Sequence, residues 1–352
     1  MKTLLSLFCL VTYLTCALSA NGWPVSLDMA CDKALSAVAC SFEFTNNANE
    51  DLYLLKRNTP LEGLYSQFVS VSLDGRPLEY EGIYIYRLPP TKDEFALLKA
   101  GESISASVQI TDAFSINTDG LYTVQYSRPL QYLSVNEMNA MFIDQLKDSS
   151  ACESVHIYLE GTDLFSRPKE QKVELDYTVY IESCTAANFN GSRDNDNTLE
   201  AHKRLCAGID KAKGGVGNNN LYVTWFGAYT AARANTVKDL YGKMRTGLGS
   251  KTVTYYNNGP KCKDHPNAIA YTYKSYSQTV VYLCDYFYKE PIACKGTSYT
   301  KERTLLHEWA HAFAARDDEG YGPDKCKGFA KSDPAKAIRN ADNFSYHYCE
   351  SQ

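Results

Sequence analysis

Long apolar runs are almost missing from this chain of 352 residues. Beyond the first twenty positions nothing approaches the roughly 18 consecutive apolar residues that a membrane-crossing helix needs. Basic charge is not in excess either: 36 Lys and Arg stand against 41 Asp and Glu, a net charge of −5. That balance speaks against nucleic acid or an anionic membrane as a partner. The twelve cysteines include no CxxC pair, so a thiolate zinc site lacks its usual spacing. No internal repeat and no low-complexity tract is present. Histidine is scarce, six in all, which makes any clustering of histidines informative.

What is there begins with MKTLLSLFCLVTYLTCALSA. Lys2, the apolar stretch from Leu4 to Ala17 and the small residues Ala17, Ser19 and Ala20 predict a secretory signal peptide over residues 1–20. A membrane anchor is the competing reading, but the stretch is short and broken by Ser6, Thr12 and Thr15. Cleavage would remove Cys9 and Cys16 and leave ten cysteines. An even number on an exported chain reads as disulfides. The expected location is therefore extracellular.

The length suits two domains. Residues 21–160 read as short alternating strands, SFEFTN, LYLLKR, FVSVSL, IYIYRL, SISASVQI, LYTVQYS and VHIYLEG, with a turn at Asp74-Gly75. That spacing predicts an all-β sandwich-like domain, a propeptide or an accessory module. His156 falls in one of these strands and is expected to face solvent. The polar segment 161–176 carries Pro168 and reads as a linker or processing region. Residues 177–352 change character. Helices are expected near Asn197 to Ile209 and over the Val237, Leu240, Tyr241, Met244 face, and strands at AIAYTY and TVVYLC.

A third helix, TKERTLLHEWAHAFAA from about Thr300, is apolar almost all round from Leu305 to Ala315, so it should be buried. Polar groups at its centre need partners. His307 and His311 stand four apart and project from one face, where both can ligate a single Zn²⁺. Glu308, beside the first histidine, can reach a water on that ion and take its proton as general base. Two core histidines bonded to backbone carbonyls would be the plain alternative, but it gives no role to the glutamate between them. A catalytic zinc takes a third protein ligand. Spacing alone leaves Asp317 and Asp318 both open, and in the register that selects Asp317 the usual glycine is replaced by Ala314.

The segment ARDDEGYG after the histidines resembles the GTxDxxYG that follows HExxH in the deuterolysin and peptidyl-Lys metalloendopeptidase family, the aspzincins. YVTWFGAYTAARANTV, VYLCDYFYKEP, TLLHEWAH and DPAKAIRNADNFSYH look like their counterparts in that family, in the same order, between Cys184 and Tyr348. The resemblance implies Asp318 as the third ligand of one zinc per chain and Tyr321 as the residue that stabilises the tetrahedral intermediate. It implies a mainly helical zincin-type domain with a small sheet, so that the whole chain is α+β. Departures exist: the family's Gly-Thr is Ala315-Arg316 here, and the step from His311 to Asp318 is shorter than in peptidyl-Lys members.

The resemblance also implies a disulfide between Cys262 and Cys284. A second family cysteine is Pro260 here, which leaves Cys184 to pair elsewhere, with Cys206 suggested. Peptidyl-Lys members hold a substrate lysine with acidic residues in the segment matching NADNFSYH. Asp342 is retained as the candidate substrate-binding residue, while the second acidic position is Ser345. A capping or histidine-orienting role is the alternative for Asp342. Taken together, the expectation is a secreted monomeric zinc metalloendopeptidase acting on proteins or peptides, with some preference for lysine or basic residues on the prime side. Its own linker offers Lys169 and Lys172 as cleavage points. The competing function is a binding or structural β-sandwich protein with a vestigial zinc domain, and a metallohydrolase of non-peptide bonds would share the same zinc site.

Overall fold

The computed structural model describes residues 22–140, 146–165, 184–274 and 279–352. The expected signal segment and most of the expected linker, with Lys169 and Lys172, lie outside the described residues. The chain divides into two compact units: Met1–Gly82 with Pro89–Glu170, and Ile83–Leu88 with Gln171–Gln352.

The first unit is built from antiparallel strands in three sheets. Alternation decides which way each side chain points. In Ala37–Asn46, Phe42 and Phe44 are buried while Ser41 and Glu43 are exposed. Phe42 packs edge-on against Phe68 and near Tyr126, so aromatic residues from different strands meet in its core. Asp74 and Gly75 both have positive φ, 48° and 78°, the backbone of a tight hairpin turn. Cys31 and Cys40 face each other across a strand pair and are bonded. His156 is exposed beside Thr123 on the neighbouring strand, as its alternation implies.

The second unit holds a five-stranded mixed sheet in the order Asn188–Asn190, Thr254–Asn257, Val280–Leu283, Ala268–Tyr273, Ile83–Arg87. The first two pairings are parallel and the last two antiparallel. The edge strand Ile83–Arg87 is the IYIYR of the β-rich half of the sequence, yet it groups with the C-terminal unit. Helices Asn195–Gly214, Ala231–Ser250, Lys301–Ala314 and Ala341–Ser351 pack around one hydrophobic core that includes Trp225, Tyr241, Met244 and Trp309. Disulfides Cys184–Cys206, Cys262–Cys284 and Cys294–Cys349 tie this unit. Among the described residues no helix is long and apolar enough to cross a membrane.

Helix Lys301–Ala314 is buried along its whole length. Thr300 caps it by accepting a hydrogen bond from the Arg303 amide, and Glu302 sits in the first turn, both favourable at a helix N-terminus. The first two charged residues of its first turn are satisfied internally. Lys301 donates to the carbonyls of Phe287, Tyr288 and Glu290, and Glu302 accepts from the Cys294 amide and the Tyr348 hydroxyl. Burial of such groups is tolerable only with partners of this kind.

Candidate metal centre

The helix ends at Ala315, which adopts the left-handed conformation at φ 51° while its amide bonds back to the His311 carbonyl. A residue with a Cβ is mildly strained there and glycine is not. The position is the one at which the aspzincin pattern carries glycine, so the reversal survives the substitution. Arg316 then locks the reversal by donating to the carbonyls of Ala314 and Ile338.

Beyond the turn, the buried Asn340 holds the loop from outside. Its carbonyl oxygen accepts from the Glu319 and Gly320 amides, and its amide nitrogen donates to the Gly320 carbonyl. The consequence is that adjacent aspartates face different ways. Asp317 is taken by Lys274 Nζ at 2.6 Å and by the Tyr84 hydroxyl at 2.9 Å. Asp318 turns inward to the histidines.

His307 Nε2 and His311 Nε2 are 3.1 Å apart, and Asp318 Oδ1 is 3.2 Å and 3.3 Å from them. Three donors held at roughly 2.0–2.1 Å from a tetrahedral zinc would stand about 3.3 Å from one another. The triangle matches that size, and these three form the group of metal-ligating type among the described residues. Each imidazole is turned by its other nitrogen. His307 Nδ1 lies 3.2 Å from Asp342 Oδ1, and His311 Nδ1 lies 2.7 Å from the Arg316 carbonyl. A carbonyl or carboxylate there takes the N–H, which leaves both Nε2 lone pairs directed at one point.

Glu308 is fully buried and neither of its carboxylate oxygens has a hydrogen-bond partner. Burial pushes its pKa well above the usual carboxylate range, with His307 pulling down and Asp318 pushing up. Burial acts in the same direction on Asp318, but His311 and His307 outweigh it and keep that carboxylate ionised. Orphaned buried oxygens beside a triangle of ligands are the pattern that a metal and its water would satisfy. Tyr321 completes the set, its hydroxyl 2.7 Å from Asp318 Oδ2 and 3.3 Å from the Ile85 carbonyl oxygen.

Asp342, the candidate for binding substrate, is fully buried and already has internal partners. It accepts from His307, from the Gly322 amide, from Ser345 Oγ and from the Tyr86 hydroxyl, with Arg303 Nη2 3.6 Å away. This is the surroundings of a group that orients a histidine, the alternative weighed for it above. Three contributors went unread in the sequence. Tyr86 stacks on His307 at 3.9 Å between ring centroids, Tyr84 stacks on His311 at 4.5 Å, and Arg303 reaches Asp342 from the metal helix itself. The alternating tyrosines of IYIYRL were the available signal.

Comparison with known proteins adds independent findings. A family profile described as lysine-specific metallo-endopeptidase, the aspzincins, matches residues 211–349. An extracellular protease of Aeromonas hydrophila is 27% identical over 322 residues, which is 88% of this chain and 87% of that protein. A peptidyl-Lys metalloendopeptidase of Pleurotus ostreatus is 32% identical over 127 residues, 36% of this chain and 70% of that protein. The solved structure of a zinc peptidase from Grifola frondosa matches with a TM-score of 0.40 at 25% identity, covering 46% of this chain and 97% of that one.

Proposed function

The chain belongs to the aspzincin family of zinc metalloendopeptidases, and we propose that His307, His311 and Asp318 hold its zinc while Glu308 acts as general base in peptide hydrolysis. The observation that carries this reading is the 3.1–3.3 Å triangle of donor atoms with the unpartnered Glu308 carboxylate beside it. Zinc bound there supplies the electrophile that polarises the scissile carbonyl and acidifies water. The chain's own groups do the rest. Glu308, with its pKa raised by burial, is suited to accept a proton and pass it to the leaving amine. Tyr321 has one hydroxyl proton for two acceptors, Asp318 and a backbone carbonyl. As charge develops on a substrate oxygen, that proton can turn toward it. Asp342 and the Arg316 carbonyl fix the tautomers of the two histidines.

The full chain is latent in this reading. Strand Ile83–Arg87 pairs antiparallel with Ala268–Tyr273, opposing Tyr84 to Thr272 and Tyr86 to Ala270. It lays a peptide backbone along the site, its Ile85 carbonyl beside Tyr321 and its two tyrosines on the two histidine rings. A segment so placed excludes other peptides, so residues 21–160 act as a propeptide whose removal opens the site. Export by the N-terminal signal segment fits this, and the Aeromonas relative is named as extracellular.

The experiment compares wild type with Glu308→Gln, expressed side by side, for zinc content, hydrolysis of denatured casein, and N-termini. Zinc retained with turnover lost by at least about 100-fold is the expected result, given the 10²–10⁴ typical of a general base. Undiminished turnover in the variant sinks the mechanism. Mature N-termini that appear in wild type only would trace the processing to the chain itself.

A further inference from the structure

The position of Tyr86 says something about substrates, and the argument rests on the peptidase reading above. Its ring is fully buried, with its face on His307 and the rings of Tyr321 and Tyr299 at 5.7 Å and 5.9 Å. Its hydroxyl reaches the floor of this recess, donating to Asp342 Oδ1 at 3.1 Å and accepting from Arg303 Nη2.

The floor is not a bare carboxylate. Arg303 is fully buried and is held without help from Tyr86, through Thr297 O at 2.7 Å and Tyr346 OH at 3.0 Å, and by the faces of Tyr346 and Tyr299 at 4.1 Å and 4.6 Å. None of these contacts comes from the strand Ile83–Arg87. Asp342 and Arg303 therefore form an internal pair of opposite charges, and the recess presents one acceptor and one donor. A phenol matches both at once. A lysine ammonium offers only donors and would be brought up against the guanidinium of Arg303, an uncompensated like-charge contact in a buried site.

The backbone fixes which substrate residue is read. The Ile85 carbonyl stands beside Tyr321, where a scissile carbonyl would be polarised, and Tyr86 is the next residue. We propose that the recess lined by His307, Tyr299, Tyr321, Arg303 and Asp342 is the specificity pocket of the mature enzyme, that it selects tyrosine in preference to lysine as the residue following the scissile bond, and that Tyr86 occupies it as a substrate mimic. Arg303 is the specificity-determining residue in this assignment.

Two arms test it. In the first, protein expressed as the full chain and matured is incubated with a proteome-derived peptide mixture, and the new termini are sequenced. Tyrosine enriched at least tenfold over lysine immediately after the cut is expected. Enrichment of lysine there, or cleavage indifferent to both, overturns the assignment while leaving the peptidase intact. The second arm needs neither activity nor maturation. In the intact chain carrying Glu308→Gln, Tyr86→Phe and Tyr86→Lys are compared by thermal unfolding. Lysine should lower Tm clearly more than phenylalanine, and a lysine variant as stable as the Tyr86 parent overturns the assignment even if no peptide is ever cut.

Discussion

Replacing Tyr86 by alanine in the full chain should raise its peptidase activity, and the size of the rise can be worked from the contacts. The side chain is fully buried, stacked on His307, and bonded to Asp342 and Arg303. Truncating a buried aromatic residue to alanine costs about 3–5 kcal/mol. The strand is also held by its ladder to Ala268–Tyr273 and by the Tyr84 stack on His311, and these survive the substitution. If the lower figure is lost from strand docking alone, the released fraction rises by roughly 100-fold, at about 1.4 kcal/mol per factor of ten. Hydrolysis by the intact chain rises in proportion as long as the released form is the minor one.

Tyr86→Phe provides the internal scale. It keeps the stack and loses the hydroxyl, whose partners are charged, so about 1.5 kcal/mol and roughly tenfold activation are expected. The assay is the initial rate on a short fluorogenic peptide, read before any new N-terminus appears and with near-UV circular dichroism as the check on folding. The order alanine, then phenylalanine, then wild type is the expected result. A folded Tyr86→Ala chain no faster than wild type would refute the latency argument, because it would mean that the strand does not limit access.

Other outcomes follow from the same geometry. Asp318→Asn should lose zinc by metal analysis, whereas Asp317→Asn should keep it while its ion pair to Lys274 is lost. The reverse pattern would mean that the loop is turned the other way. Tyr321→Phe in the matured enzyme should lower kcat more than it raises KM, as for a donor that acts mainly in the transition state, and a pure KM effect would make it a binding residue. His347 is buried beside Tyr241 and Phe226, and burial lowers its pKa from 6.5 to about 4. A depressed folded pKa gives stability that is present above pH 6.5 and lost as pH falls toward 4. The unfolding free energy of wild type should therefore drop relative to His347→Gln by up to about 3 kcal/mol across that window, at 1.36 kcal/mol per pKa unit. Parallel pH profiles would show that His347 titrates normally.

How far the site could be read from the chain depends on how local each piece is. His307, Glu308 and His311 lie within five residues on one helix, so their common face follows from helical geometry alone. Helix burial was equally legible, because an all-round apolar pattern has no other explanation in a chain without long apolar runs. The choice between Asp317 and Asp318 was not legible from spacing, and only the family resemblance selected Asp318. That choice depends on a left-handed Ala315 and on Asn340, which is brought in from more than twenty residues away. The insertion of Ile83–Leu88 into the peptidase sheet is less local still. The alternation of IYIYRL says strand and is silent about which sheet it completes. Tyr86 and Asp342 are 256 positions apart in the chain, and no periodicity reaches that far.

Asp342 shows what a motif match leaves undetermined. A carboxylate aligned with a lysine-binding position carries the same charge in any chain, but what it can bind depends on the charge already beside it. Here the metal helix contributes Arg303 three residues after its cap, and Ser345 at the second acidic position returns only a hydroxyl to Asp342. With the Arg303 guanidinium beside Asp342 and a serine at the second acidic position, the recess is neutral and hydrogen-bonding rather than anionic. Removing the guanidinium by Arg303→Leu would leave Asp342 facing the recess with no internal cation. If the variant folds, lysine should then gain on tyrosine after the cut by at least tenfold in the same peptide mixture. An unchanged ratio would show that shape, through the His307 and Tyr299 rings, selects the residue and that charge does not.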